Sequence, residues 1–116
     1  MNDSIGEITS KIQAFVAERE WEVYHDAKEM SVALMAEAGE LLQHFVWQQG
    51  GQVAERVEQD KAAIASEVAD IGILLFELAD RLGLKLGDVM MDKLEANGVR
   101  YPVEKARGNN KKYNRL

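Results

Sequence analysis

A single proline, Pro102, stands in this chain of 116 residues, close to its C-terminal end. Proline is the residue that most firmly forbids a helix interior, because it lacks an N–H and its ring clashes with the preceding turn. The long stretch before Pro102 is therefore free of hard helix stops. Its glycines mostly fall between segments of helical period, and no stretch alternates with period two over a strand's length. These features predict an all-α fold. With 47% hydrophobic and 29% charged residues the chain reads as globular, and its length suits one domain over 1–116.

Four helices are expected. Ser4-x-x-Glu7 has the form of a capping box, and Ile5, Ile8, Ile12, Phe15 and Val16 follow at helical spacing, predicting a helix over about 4–20. Asp26-x-x-Glu29 opens a second over about 27–48, with Met30, Leu34, Leu41, Leu42 and Phe45 as its stripe. Gln49-Gly50-Gly51-Gln52 reads as a loop. Asp60 is the expected cap of a third helix over about 60–82, carrying Ile64, Val68, Ile71, Leu75, Leu78 and Leu82 and stopped by Gly83. The fourth spans about 87–97, with Gly98 just past its end and a tail over 99–116.

Charge is unevenly spread. Residues 93–116 hold seven basic and two acidic side chains, a net +5, whereas 1–92 hold seven basic and eighteen acidic ones, a net −11. An acidic body repels polymeric nucleic acid, and a basic tail can hold an anion the body alone would reject. Absence of cysteine excludes disulfides, thiol nucleophiles and thiolate metal sites, and suits a reducing cytoplasm. The first residues show no signal-peptide pattern, and the longest apolar run, Ile71–Phe76, is far below the ~20 residues that span a bilayer. A cytoplasmic protein is expected, with neither membrane nor nucleic acid as partner.

The most informative acids lie where acids should not. Glu37 and Glu40 form one i, i+3 pair on the second helix, Glu67 and Asp70 another on the third. At ~100° per residue, Met30, Leu34 and Leu41 fall within about 60° of Glu37, and Ile64, Ile71, Leu74 and Leu78 within about 60° of Glu67. Both acids thus sit in apolar stripes, where an unpaired carboxylate is costly. Two such pairs point to a shared cation, and an all-oxygen ligand set suits Mg²⁺ first and Mn²⁺ second. Such a site has open positions for a polyphosphate. Lys93 and Asn97, one turn apart, followed by Arg100 and the Arg107–Lys112 tail, could neutralise it. Trp21 and Trp47 bracket the second helix as core margins or as stacking faces for a nucleobase. His25 reads as a local hydrogen-bonding residue near a helix start, and His44 as an exposed side chain one turn beyond Glu40. Glu77 and Arg81 read as an ordinary i, i+4 pair, while Gly39 and Gly72 suggest close helix approach.

The ordered set of motifs resembles the MazG-like all-α nucleoside triphosphate pyrophosphohydrolases, in particular the small single-domain branch that includes dCTP pyrophosphatases. The E-x-x-E…E-x-x-D signature reads Glu37-Ala-Gly-Glu40, 26 residues, then Glu67-Val-Ala-Asp70. Phe15-Val-Ala-Glu-Arg19-Glu-Trp21 with His25, Leu41-Leu-Gln-His-Phe45-Val-Trp47, Lys93-Leu-Glu-Ala-Asn97-Gly-Val-Arg100-Tyr101-Pro102-Val103, Arg107-Gly108 and Lys112-Tyr113 extend the likeness over about residues 12–113. The resemblance implies an oligomeric four-helix-type bundle, a homodimer or dimer-of-dimers tetramer with sites at subunit interfaces. It implies hydrolysis of deoxynucleoside triphosphates, dCTP among them, to monophosphate and pyrophosphate in nucleotide-pool house-cleaning. Mg²⁺ would be held by Glu37, Glu40, Glu67 and Asp70. Lys93, Asn97, Arg107, Lys112 and Tyr113 would meet the phosphates, and Trp21, His25 and Trp47 the nucleoside. Two positions depart from the branch: Leu74 replaces a tyrosine of animal relatives, and Lys28-Glu29 replaces a common Arg-Asn pair. Both bear on base and sugar choice. The rival readings are a helical module that senses nucleotides without hydrolysing them, a helical interaction protein, and a hydrolase of another phosphoanhydride.

Overall fold

The computed structural model describes residues 4–116, and among these every regular element is helical. The chain divides into two compact units, one ending at Leu84 and the other spanning residues 85–116. The first holds α1 (Ser4–Glu18), α2 (Ala27–Gln43), α3 (Gly51–Gln59) and α4 (Lys61–Arg81), with a 3₁₀ turn at Glu22–Tyr24. The second holds α5 (Leu86–Arg100), α6 (Val103–Ala106) and a 3₁₀ turn at Tyr113–Arg115. No helix among the described residues is long and apolar enough to cross a membrane.

In the first unit α4 is the hub: α2 packs along it most extensively, and α1 and α3 also rest on it. Among the described residues the buried apolar side chains are few, namely Ile12 and Val16 from α1, Met30 from α2 and Ala79 from α4. Asp26 caps α2 by accepting the Glu29 N–H at 2.8 Å, the arrangement expected from Asp26-x-x-Glu29. Gly83 ends α4 with φ of +69°, the left-handed conformation glycine adopts without steric cost. Its N–H bonds Asp80 O, and Leu84 N–H bonds Ala79 O, which completes a Schellman cap.

Several boundaries differ from those expected. The second helix stops at Gln43 and not near 48, because residues 44–46 tighten into i→i−3 bonds and Trp47 turns left-handed at φ +66°. The Gly50-Gly51 loop opens a helix, α3, that had not been expected: Gly50 takes φ +56° and helix begins at Gly51. Asp60 lies between α3 and α4 but does not cap α4 through its side chain, which is committed elsewhere. The last long helix passes through Gly98 to Arg100, since a glycine costs a helix only ~1 kcal/mol while Pro102 stops it outright. Residues beyond Pro102 are not a bare tail, because they form α6 and the final 3₁₀ turn. A Cβ built on Gly39 or Gly72 would meet nothing within 4 Å, so no helix of this chain approaches either glycine closely.

Candidate active site

The acidic pairs fall on α2 and α4, the two helices that pack most extensively together. Glu37 and Glu67 are half-buried, whereas Glu40 and Asp70, displaced toward the polar side, are exposed. The buried Oε2 atoms of Glu37 and Glu67 have no hydrogen-bond partner. Burial pushes the Glu37 carboxyl above its ordinary value, and Glu40, Asp70 and Glu67 push it the same way. The four acids are therefore electrostatic neighbours, and Glu37 feels three like charges and no cation. Among the described residues no three acidic or histidine side chains converge on one point closely enough to hold a metal as they stand. An orphaned buried carboxylate oxygen such as Glu37 Oε2, in an all-oxygen donor set, is nevertheless what a hard divalent cation would satisfy. An open cavity of about 420 Å³ lies alongside, lined by Glu40, Gln43, His44, Arg56, Asp60 and Glu67.

His44 occupies the centre of this wall. It is half-buried and not exposed, and it reaches Asp60 and Glu67 rather than orienting Glu40. Nδ1 lies 3.0 Å from Asp60 Oδ2, and Nε2 lies 2.7 Å from Glu67 Oε2, at ion-pair distance but off the axis of an aligned hydrogen bond. Arg56 Nη1 donates to Asp60 Oδ2 at 3.4 Å. α3 thus completes the wall by bringing Arg56 to Asp60.

The hydrogen bond to Asp60, aided by the Glu67 charge, raises the His44 imidazole above its ordinary 6.5. The same bond, with Arg56, holds Asp60 below its ordinary 3.8. A raised histidine stabilises fully below 6.5 and loses that contribution as pH climbs through its folded value. A depressed aspartate keeps its contribution above 3.8 and loses it only as pH falls through its folded value. The pair is at full strength between the two ordinary values. In EDTA, the Tm deficit of His44→Gln is therefore expected to be largest near pH 5–6 and to shrink above pH 7. A deficit constant across a pH series of thermal melts would show that His44 acts by packing alone.

At the other end of α4, Trp21 and His25 come together. Their ring centroids are 5.7 Å apart, and Phe15 meets the Trp21 ring edge-on at 5.9 Å. His25 is not a local hydrogen-bonding residue: Nδ1 lies 2.7 Å from Glu77 Oε2, across 52 residues of sequence. Glu77 is 6% exposed and does not pair with Arg81. This partnership was missed at the sequence level, where the wheel gave only a faint signal. Glu77 lies three residues beyond Leu74 and one before Leu78, at the edge of the stripe that carries Glu67. These side chains border an apolar cavity of about 410 Å³ that also contacts Phe15, Ile73 and Leu74. Trp47 stands apart, 90% exposed at the turn after α2.

The expected phosphate-binding residues belong to the second unit. Lys93 is exposed and Asn97 half-buried, one turn apart on α5. Arg100 lies 4.8 Å over the Tyr113 ring, with Lys112 at 6.0 Å, and Tyr101 packs edge-on against Tyr113. Arg107 is exposed in the turn after α6. The closing segment is thereby folded back as an aromatic and cationic cluster.

The MazG-like family profile matches residues 32–116. dCTP pyrophosphatase 1 of Homo sapiens is 35% identical over 104 residues, covering 88% of this chain and 61% of its own length. The Rattus norvegicus protein of the same name is 36% identical over the same coverage. The chain thus spans about three-fifths of the length of these curated relatives. The crystal structure of a pyrophosphatase from Archaeoglobus fulgidus DSM 4304 superposes with a TM-score of 0.83 at 28% identity, over 88% of this chain and 95% of that one. With its acid pairs, its helical architecture and these matches all in agreement, the chain belongs to the MazG-like family.

Proposed function

We propose that this chain is a Mg²⁺-dependent nucleoside triphosphate pyrophosphohydrolase, releasing a monophosphate and pyrophosphate from free cytoplasmic deoxynucleotides. The observation that carries the reading is the buried, unpartnered Oε2 of Glu37 within a four-carboxylate cluster that raises its pKa. The names of the similar proteins support the reaction class and make dCTP the first substrate to test.

Glu37, Glu40, Glu67 and Asp70 would hold the cation. When bound, it supplies Lewis-acid polarisation of a phosphoryl oxygen and a more acidic water. Lys93, Asn97, Arg107 and Lys112 would supply the positive charge and hydrogen-bond donors that a triphosphate needs, with Tyr113 buttressing Arg100 and Lys112. His44, fixed by Asp60, holds the Glu67 carboxylate in place. Trp21 and His25 line the apolar cavity that takes the base.

A second copy of the chain is part of this reading. Val32, Met35 and Leu42 are 54%, 69% and 66% exposed on α2. They lie roughly 140–220° around the helix from Glu37, on the face opposite the acids. A helix that is apolar on two faces needs cover on both.

The test is product analysis. Each dNTP and NTP is incubated with and without Mg²⁺, and the products are resolved by anion exchange. Monophosphate plus pyrophosphate, lost in EDTA, is the expected result. No turnover, with a nucleotide-dependent rise in Tm, would instead indicate a sensing module.

Trp47 gives a separate prediction. Its left-handed backbone costs of order 1 kcal/mol, which glycine would relieve. Trp47→Gly is therefore expected to leave the fold at least as stable while raising KM several-fold, because a base-stacking face is worth about 1–3 kcal/mol. Unchanged KM in steady-state assays would remove Trp47 from the nucleoside site.

A further inference from the structure

Arg56 on α3 shares a cavity with the acids, and the proposed function has made no use of it. That cavity, of about 420 Å³, is lined by Glu40, Gln43, His44, Arg56, Asp60 and Glu67. The expected phosphate-binding residues Lys93, Asn97, Arg107 and Lys112 all belong to the other unit. Arg56 is half-buried, and its donors are poorly used. Nη1 meets Asp60 Oδ2 at 3.4 Å, where a charge-assisted bond is usually about 2.7–2.9 Å. Nε is buried and has no hydrogen-bond partner. A guanidinium donates from every nitrogen in a planar fork, so an arginine held by one long bond is short of acceptors. Asp60 has little more to give, because the same Oδ2 also meets His44 Nδ1 at 3.0 Å. Phosphate is the acceptor whose geometry matches the fork.

The position along α4 selects the part of a nucleotide that Arg56 would meet. Asp60 immediately precedes α4, and Ile73, Leu74 and Glu77 border the apolar cavity assigned to the base. At about 1.5 Å per residue, Glu67 is roughly 10 Å along the helix from Asp60, and Leu74 is roughly 10 Å further. The acids therefore stand between the base cavity and Arg56. A triphosphate with its base in that cavity and its scissile bond at the acids points its terminal phosphates toward Arg56. Glu40, Asp60 and Glu67 repel a bare anion, so the phosphates would enter with the cation that Glu40 and Glu67 help to hold.

We propose that Arg56 is a further substrate-binding residue, one that grips the terminal phosphates, the half that leaves as pyrophosphate, through a bidentate guanidinium contact. The contact replaces the long bond to Asp60, a weak i, i+4 pair. Asp60 keeps His44 as its partner when the guanidinium turns away. The inference rests on the hydrolase reading for its substrate, and binding measured without turnover separates the two.

The experiment measures calorimetric binding of pyrophosphate and of dCMP, each in Mg²⁺, to wild type, Arg56→Gln and Arg56→Lys. These ligands are the two halves of dCTP, so a contact to one half leaves the other unaffected. Glutamine and lysine are both good helix formers, and α3 should form in each variant. Arg56→Gln is expected to weaken pyrophosphate binding about tenfold or more, the loss of a hydrogen bond from a charged group, with dCMP binding unchanged. Arg56→Lys keeps the charge without the fork and should fall in between. The rise in Tm on adding Mg²⁺ alone should be the same in all three proteins. Loss of that rise in Arg56→Gln would mean that the side chain acts through Asp60 and His44 on Glu67, and would overturn the proposal. Weakened binding of dCMP alone would overturn it too. Arg56-dependent pyrophosphate binding by a chain that hydrolyses no triphosphate would uphold the site and overturn the hydrolase reading. Turnover of dCTP, with pyrophosphate binding equal in all three proteins, would overturn the site and leave the hydrolase reading standing.

Discussion

Replacing Glu67 by glutamine is expected to abolish Mg²⁺-dependent release of pyrophosphate while leaving helical content unchanged. The substitution removes one charge and no volume, at a half-buried position on α4 whose Oε2 is met only by His44 Nε2 at 2.7 Å. The apolar packing of α4 against α2 does not depend on that charge, although the ion pair with His44 at the end of α2 does. Cation affinity does, because a neutral amide oxygen is a far weaker ligand for a hard ion than a carboxylate. A bound ion contributes several kcal/mol of transition-state stabilisation, and each 1.36 kcal/mol is a factor of ten in rate. A loss of at least ~10²-fold in kcat/KM follows. The check is steady-state turnover over a Mg²⁺ titration, beside circular dichroism of the variant. Normal kcat at saturating Mg²⁺ would remove α4 from the metal-binding set. In wild type, Mg²⁺ should also raise Tm, because Glu37 is held above its ordinary value by burial and by like charges that a cation would offset.

What could be read from residues alone was the part governed by period and by cost. Acids inside apolar stripes are expensive, so Glu37 and Glu67 were conspicuous before any coordinates, and the structure leaves both half-buried, Glu37 with an orphaned oxygen and Glu67 against His44. Asp26 and Gly83 were legible because a cap is a local event: a side chain or a left-handed glycine within one turn of the helix it closes. α3 was not legible, because Gly50-Gly51 is a loop signal. Only Val53 and Val57, one turn apart, marked a helix. Gly98 misled for the opposite reason. Glycine ends a helix only when the chain uses its positive φ, as at Gly83, and Gly98 does not.

Histidine partners were hidden for a different reason. His25 binds an acid 52 residues away, and His44 binds Asp60 and Glu67 across the α2–α4 packing. Period locates a residue on its own helix, but a partner on another helix depends on the register between the two. Glu77 was assigned to Arg81 because a single helix shows only its own i, i+3 and i, i+4 neighbours, and Arg81 is the basic one among them. The wheel position of Glu77, about 80° from Glu67 and flanking the stripe only at Leu74, gave little sign of burial. The tail was misjudged similarly. Its basic residues were visible as charge, while the stacking of Arg100 and Tyr101 on Tyr113 is tertiary.

A glutamate introduced at Leu42 or Met35 is expected to lower the molecular mass in solution, measured by sedimentation equilibrium, with little loss of helicity at high concentration. The stripe expected to bury α2 in its own chain leaves Leu42 66% exposed, and Met35 is 69% exposed. These side chains point away from the α4-facing residue Met30, which is 3% exposed. Full burial of each is worth about 1.5–3 kcal/mol, a stabilisation that a lone chain forgoes. A two-fold interface uses the same patch from both copies, so one substitution appears twice and sets two carboxylates against each other. Met30→Ala makes the contrast. It should cost about 2–5 kcal/mol and lower Tm at every protein concentration, because its cavity lies inside one chain. The Leu42→Glu penalty should instead vanish in the monomeric limit, where wild type is equally uncovered. If wild type sediments as a monomer at tens of micromolar, α2's outer face is not an interface between copies. If it does not, the acids of α2 lie on the helix face opposite a subunit contact, and catalysis should fall with dilution below the dissociation constant of that contact.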